Sequence, residues 1–316
     1  MNIIKSYLVL YFLTAGSIYA LGSKEIEPEN NVIISSVQQN AIQQTNAEPS
    51  RAEQVMRALA GAYPRQIDKI EYRNNDWAVL LSGTWYHYAE GKLLPQNMVP
   101  NAANYSPQPF YNYIAELPVW KVPTAEEAER YRSMANNRNQ NPPRRSPQFF
   151  DELWRAHNRS EAYDRVKTIR FLGKSVTVHY LILENLSLVE EQILAAAKVN
   201  PQVQSWINSV SSLEGWSWRN IADTQSRSYH SYGLAVDIIP KSYGGKETYW
   251  LWASNRRSDW WNISYNERYH PPAAVIKAFE TYGFIWGGKW LYFDTMHFEY
   301  RPEILILSGM PPDTRR

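Results

Sequence analysis

One carboxylate sits inside the most β-prone apolar run of the chain. Leu234-Ala235-Val236-Asp237-Ile238-Ile239 reads as a buried strand, yet Asp237 interrupts it between Val236 and Ile238. A carboxylate on an apolar strand is costly unless it is paired or bound to a cation. Asp237 therefore calls either for an ion pair, with Arg219 or Arg227 as the nearest candidates, or for a metal.

The chain has no cysteine, so a metal site here must be built from His, Asp and Glu. Two short segments supply such residues. The first is Ser228-Tyr229-His230-Ser231-Tyr232-Gly233, leading into the run that holds Asp237, and the second is Asp294-Thr295-Met296-His297-Phe298-Glu299. A turn at Gly233 can bring His230 and Asp237 to one point. If the second segment is a strand, His297 and Glu299 share one face, while Met296, Phe298 and Tyr300 point to the core. A hydrolytic zinc centre uses three protein ligands and keeps a fourth position for water, whose pKa it lowers to about 7. A carboxylate beside that water takes its proton and passes it to the leaving amine. Asp294, three residues before His297, is placed to do so. Two neutral histidines and one aspartate leave the centre positively charged, which favours an oxyanion.

Around these segments the pattern is α+β. Residues 1–22 read as a secretory signal: Lys5 gives a positive start, Tyr7 to Ala15 a short apolar stretch, and Ala20-Leu21-Gly22 a small-x-small cleavage site. The alternative is an uncleaved anchor. The expected location is periplasmic or extracellular, with no stable membrane insertion after cleavage. Residues 23–50 are polar and aperiodic, as in a flexible linker. Residues 51–163 form an accessory α+β region: a helix over 52–62, strands over 67–72 and 77–88 turning at Asn74-Asn75-Asp76, a loop over 92–109, a helix opened by the capping box Thr124-Ala125-Glu126-Glu127, a loop over 136–147, and a helix over 149–157.

Residues 164–312 form the second unit. A hairpin is expected over 166–171 and 175–183, turning at Gly173-Lys174. A capping box at Ser187 to Glu190 opens a helix through Val199. Short strands are expected over 204–210, 216–219, 290–293 and 296–300, and a helix over 273–282 between Pro272 and Gly283. The architecture is thus an antiparallel sheet with flanking helices. The stretch from Lys241 to His270 holds Trp250, Trp252, Trp260 and Trp261, which either wall a substrate groove or cover the sheet. A formal net charge of +2 and the absence of a basic run with a matching motif argue against nucleic acid as a partner.

The spacing Ser228-x-His230-x-x-Gly233-x-Ala235-x-Asp237 resembles the first metal motif of the D-alanyl-D-alanine metallopeptidases. Tyr282-Gly283-Phe284-Ile285-Trp286-Gly287-Gly288-Lys289-Trp290, continuing to Asp294 and His297-Phe298-Glu299, resembles the second motif of the branch with VanY-like carboxypeptidases and L-alanyl-D-glutamate endopeptidases. The resemblance covers residues 166–312. It implies one zinc ion held by His230, Asp237 and His297, Asp294 as general base, and peptidoglycan stem peptides as substrate. It also implies that Arg219 holds the scissile carbonyl or a substrate carboxylate. Ser228 is expected to bond substrate, to orient the ligands, or only to shape the turn. The stretch from Arg219 to Ser228 is shorter than in many members, and the bond cut stays open between carboxypeptidase and endopeptidase. Two other readings are an inactive peptidoglycan-binding module of the same fold and an accessory region that is itself the main functional part. His87, His157, His179 and His270 match no motif and are read as structural or exposed.

Overall fold

The structure is a computed structural model that describes residues 48–313. The expected signal segment and most of the expected linker lie outside the described residues. Among the described residues, no helix is long and apolar enough to cross a membrane.

Helix α1 (Arg51–Ala62) opens at Ser50, whose side chain accepts from Glu53 N, and buries Val55, Met56 and Leu59. It packs beside an antiparallel meander of β1 (Ile67–Arg73), β2 (Asp76–Leu81), β3 (Thr84–His87) and β4 (Leu94–Pro95). The single long strand expected over 77–88 is in fact two strands. Ser82 and Gly83, both at positive φ, turn the chain so that Leu81 pairs with Thr84. The loop expected after Lys92 contains β4 and a 3-10 segment, Gln96–Asn104.

Helix α2 (Ala125–Gln140) carries the expected reciprocal capping box between Thr124 and Glu127, worth about 1 kcal/mol. It runs five residues into the stretch expected to be loop. Helices α3 (Gln148–Trp154) and α4 (Arg159–Asp164) lead to the hairpin β5 (Val166–Phe171) and β6 (Lys174–His179).

Helix α5 (Leu183–Ala197) begins before the capping box read at Ser187, which lies inside the helix. The supposed partner Glu190 instead accepts from Leu172 N at 2.6 Å, at the hairpin turn. The strand expected over 204–210 is helix α6 (Pro201–Ser209), started by the Asn200 cap and Pro201. These two signals outrank a short apolar run, whose period alone cannot separate strand from buried helix.

The site sheet has the order β7 (Val210–Glu214), β8 (Ala235–Pro240), β10 (His297–Tyr300), β9 (Phe284–Trp286), all antiparallel. Residues 216–219 and 290–293, expected as strands, are not strands. Helices α7 (Trp250–Ser254), α8 (Ala273–Thr281) and α9 (Pro302–Leu307) complete the fold. One face of the sheet packs on α8, which in turn packs on α5. There Phe298 stacks on Phe279 with centroids 4.0 Å apart, an arrangement worth about 0.5–1.5 kcal/mol beyond burial.

A single buried cluster runs through both parts of the chain. It joins Met56, Leu59, Phe149 and Trp154 to Phe171, Leu186, Tyr229 and Phe298. A smaller cluster gathers Trp250, Trp260, Trp261, Ile263 and Phe293, with Tyr131 and Ala135 of α2 against it. Three of the four tryptophans in the aromatic stretch thus cover the structure, and Trp252 is 48% exposed.

Candidate metal centre

The register of the site sheet sets the centre. His297 on β10 stands directly across from Asp237 on β8, so their side chains leave the same face, while Val236 and Phe298 point to the core. His230 comes from a 3-10 turn, Tyr229–Tyr232, closed by Gly233 at φ +72. A Cβ at Gly233 would lie 2.7 Å from His179 N and 2.8 Å from Val166 Cγ1, so only glycine brings this turn against the hairpin.

Three side chains converge. His297 Nδ1 lies 2.8 Å from Asp237 Oδ1, His230 Nε2 lies 3.2 Å from Asp237 Oδ2, and the two ring nitrogens are 3.3 Å apart. Candidate ligand atoms from all three fall within 4.8 Å of one another. The ion pair with Arg219 or Arg227 does not form. Arg227 pairs with Asp151 at 3.3 Å and lies over the Trp218 ring.

The far side of each ring is tied down. His230 Nδ1 donates to Gly215 O at 2.6 Å, and His297 Nε2 donates to Glu299 Oε2 at 3.0 Å. Gly215 is held there because its Cα approaches β6 closely: a Cβ would meet Thr177 O at 2.1 Å. These bonds fix ring orientation and leave His230 Nε2 and His297 Nδ1 facing the centre, the usual pattern behind metal-bound imidazoles. Trp290 packs beside His297, with centroids 5.5 Å apart.

The charge balance fits a divalent cation. Asp237, Glu299 and Glu303 set three carboxylates against one guanidinium, Arg301, in a region nearly closed to solvent. Two negative charges remain to be matched. Burial opposes ionisation of Asp237, but His230 and His297 outweigh it and hold the carboxyl far below its usual range. Burial likewise opposes a proton on His297, yet Asp237 and Glu299 raise its pKa well above 6.5. Without a cation, the centre takes a proton in its place.

Asp294 precedes the strand, with its backbone N–H on Gly287 O at 3.1 Å and its carbonyl accepting from His297 N at 3.3 Å. Its Oδ1 is shut off from solvent and has no hydrogen-bond partner. Burial, then the charge of Asp237, lifts its pKa to about 7. A carboxyl beside this His-Asp-His cluster, raised and with one oxygen free, suits proton transfer.

The remaining expected residues stand as follows. Ser228 is buried and caps the His230 turn, its Oγ accepting from His230 N at 3.3 Å. Arg219 is exposed. Its backbone is bonded in both directions to the Ser231 hydroxyl, at 2.9 and 2.6 Å. Its charge reaches the Tyr249 hydroxyl, as does that of Asp294. The backbone of Tyr249 pairs with that of Asp294. Sequence reasoning placed Glu299 on the His297 face but did not foresee its bond to the ring, nor the roles of Gly215 and Tyr249. Backbone contacts of this kind leave no residue-type signal. His87 and His179 are buried, His157 is an exposed bridge between Glu152 and Glu161, and His270 donates to Tyr265 O.

Residues 55–110 match a domain family of unknown function. No curated protein and no solved structure matches the chain. Residues 222–300 match the family described as D-alanyl-D-alanine carboxypeptidase. The stretch that holds His230, Asp237, Asp294 and His297 is therefore similar to a peptidase family, and the His-Asp-His convergence is what such a hydrolase would need.

Proposed function

We propose that the protein is a zinc metallopeptidase that hydrolyses peptide bonds in peptidoglycan stem peptides. The convergence of His230 Nε2, His297 Nδ1 and Asp237 within hydrogen-bonding distance carries the reading. The similarity of residues 222–300 to D-alanyl-D-alanine carboxypeptidases supports the substrate class. His230, Asp237 and His297 hold the ion, and nitrogen and carboxylate ligands suit zinc. Zinc bound there supplies a Lewis acid that activates water and polarises the scissile carbonyl.

The protein's own residues do the rest. Asp294 takes the proton of the attacking water on its free Oδ1 and delivers it to the departing amine. Glu299 and Gly215 O keep the two rings turned toward the centre. Ser228 holds the turn that presents His230. Arg219, exposed at the Tyr249 edge, pairs with the substrate carbonyl or carboxylate.

Digestion of purified muropeptides by residues 23–316 with added zinc, read by mass spectrometry, tests this. Loss of a terminal alanine identifies a carboxypeptidase that removes D-Ala. Release of a stem peptide lacking L-Ala identifies an endopeptidase that cuts L-Ala-D-Glu. No cleavage by folded, zinc-loaded protein points to a binding module and contradicts the proposal.

A further inference from the structure

The outer support of His297 does not end at Glu299. Glu299 accepts from His297 through Oε2 and from Arg301 NH1 through Oε1, the latter at 3.2 Å. Arg301 Nε donates to Glu303 Oε1. The other oxygen of Glu303, Oε2, accepts from the Tyr63 hydroxyl at 2.5 Å. Tyr63 caps helix α1, more than two hundred residues earlier in the chain. Every member is buried: Tyr63 is 2% exposed, Arg301 and Glu303 0%, Glu299 8%.

Each carboxylate in this ladder uses one oxygen toward the centre and the other away from it. That division holds the planes in place. Without the Tyr63 hydroxyl, Glu303 Oε2 would be left unpaired in a dry site, which is costly. The cheapest repair turns both Glu303 oxygens onto Arg301, because Arg301 NH2 is buried and unpartnered. The guanidinium would then shift away from Glu299, and the His297 ring would lose its firm support.

We infer that Tyr63, a residue of the accessory region, is a positioning residue for His297, acting through Glu303, Arg301 and Glu299. This rests on the metal-centre reading above. It gives the accessory region a part in assembling the centre.

The test is zinc affinity, measured by competition with a chromophoric chelator on residues 23–316. Tyr63→Phe should bind zinc about 10-fold more weakly than wild type, as loss of outer-shell support does elsewhere. Glu303→Gln should weaken it in the same direction. Tyr113→Phe is the control: its hydroxyl donates to Glu280 and accepts from Trp286 N, another contact between the two regions, outside the ladder. Its zinc affinity should not change. In a Glu299→Gln background, Tyr63→Phe should have no further effect, an outcome that a general loss of packing would not produce. Wild-type affinity in Tyr63→Phe, or an equal loss in both backgrounds, overturns the inference alone. A wild-type protein that binds no zinc overturns the metal-centre reading and the inference with it.

Discussion

His230 Nε2 and His297 Nδ1 stand 3.3 Å apart, each ring nitrogen turned toward the same aspartate. With the N–H of each ring donated on its far side, the two facing nitrogens present lone pairs to the same point, and the gap suits one shared cation. The partners behind the rings, Gly215 O and Glu299, enforce the arrangement.

The first consequence is proton exchange. Asp237 and Glu299 outweigh burial and raise the pKa of His297 well above 6.5, so the metal-free centre holds a proton there at neutral pH. Zinc must displace it, and binding should release about one proton. Calorimetry in two buffers of different ionisation enthalpy reads this directly. Affinity should fall as the pH is lowered. A binding enthalpy independent of buffer would contradict it.

Asp294→Asn separates the proposed base from the proposed ligands. The variant should keep zinc and lose turnover by about 10²–10⁴-fold. Its stability should also respond with a defined sign. In the metal-free protein, burial and Asp237 raise Asp294 to about 7, so the stability tied to its protonation is present at low pH and lost as the pH rises through 7. Metal-free Asp294→Asn should therefore melt higher than wild type at pH 8, with the difference shrinking toward pH 5. Full activity in this variant would remove Asp294 from its role.

Gly233→Ala should damage both fold and centre. The position needs a positive φ, and the added methyl would collide with the backbone of His179. Left-handed strain and overpacking together should cost about 2–4 kcal/mol. Denaturant melts measure that cost. Zinc affinity should drop in parallel, because the same turn presents His230.

Separate expression of residues 51–163 and 164–313 should yield two poorly folded pieces. Trp154, Phe149 and Met56 share one buried cluster with Phe171, Tyr229 and Phe298, so each piece alone would expose core. Circular dichroism and hydrophobic-dye binding of each piece decide it. A cooperative melt in residues 164–313 alone would show that the accessory region is dispensable for folding.

Much of the site was legible in the sequence because its chemistry conflicts with its surroundings. Asp237 inside an apolar strand and His297 alternating with core residues both announce side chains held for a purpose. The helix over 273–281 was legible from its proline start and the glycine beyond its end. What escaped depended on contacts between distant segments. Ser187 and Glu190 have the spacing of a cap, yet Glu190 is taken by Leu172 N across the hairpin. Residues 204–209 look β-prone, but Asn200 and Pro201 begin a helix there. The bond from Tyr63 to Glu303 links two residues with no shared local pattern, and only the fold brings them together.

The most direct test of the account strips the protein of metal and restores zinc in steps while muropeptide hydrolysis is followed. Activity should rise linearly and break at about one equivalent per chain, as a three-ligand catalytic centre requires. The His297→Ala variant should stay inactive throughout. Hydrolysis that persists without metal, or no hydrolysis at any level of zinc by folded protein, would contradict the account.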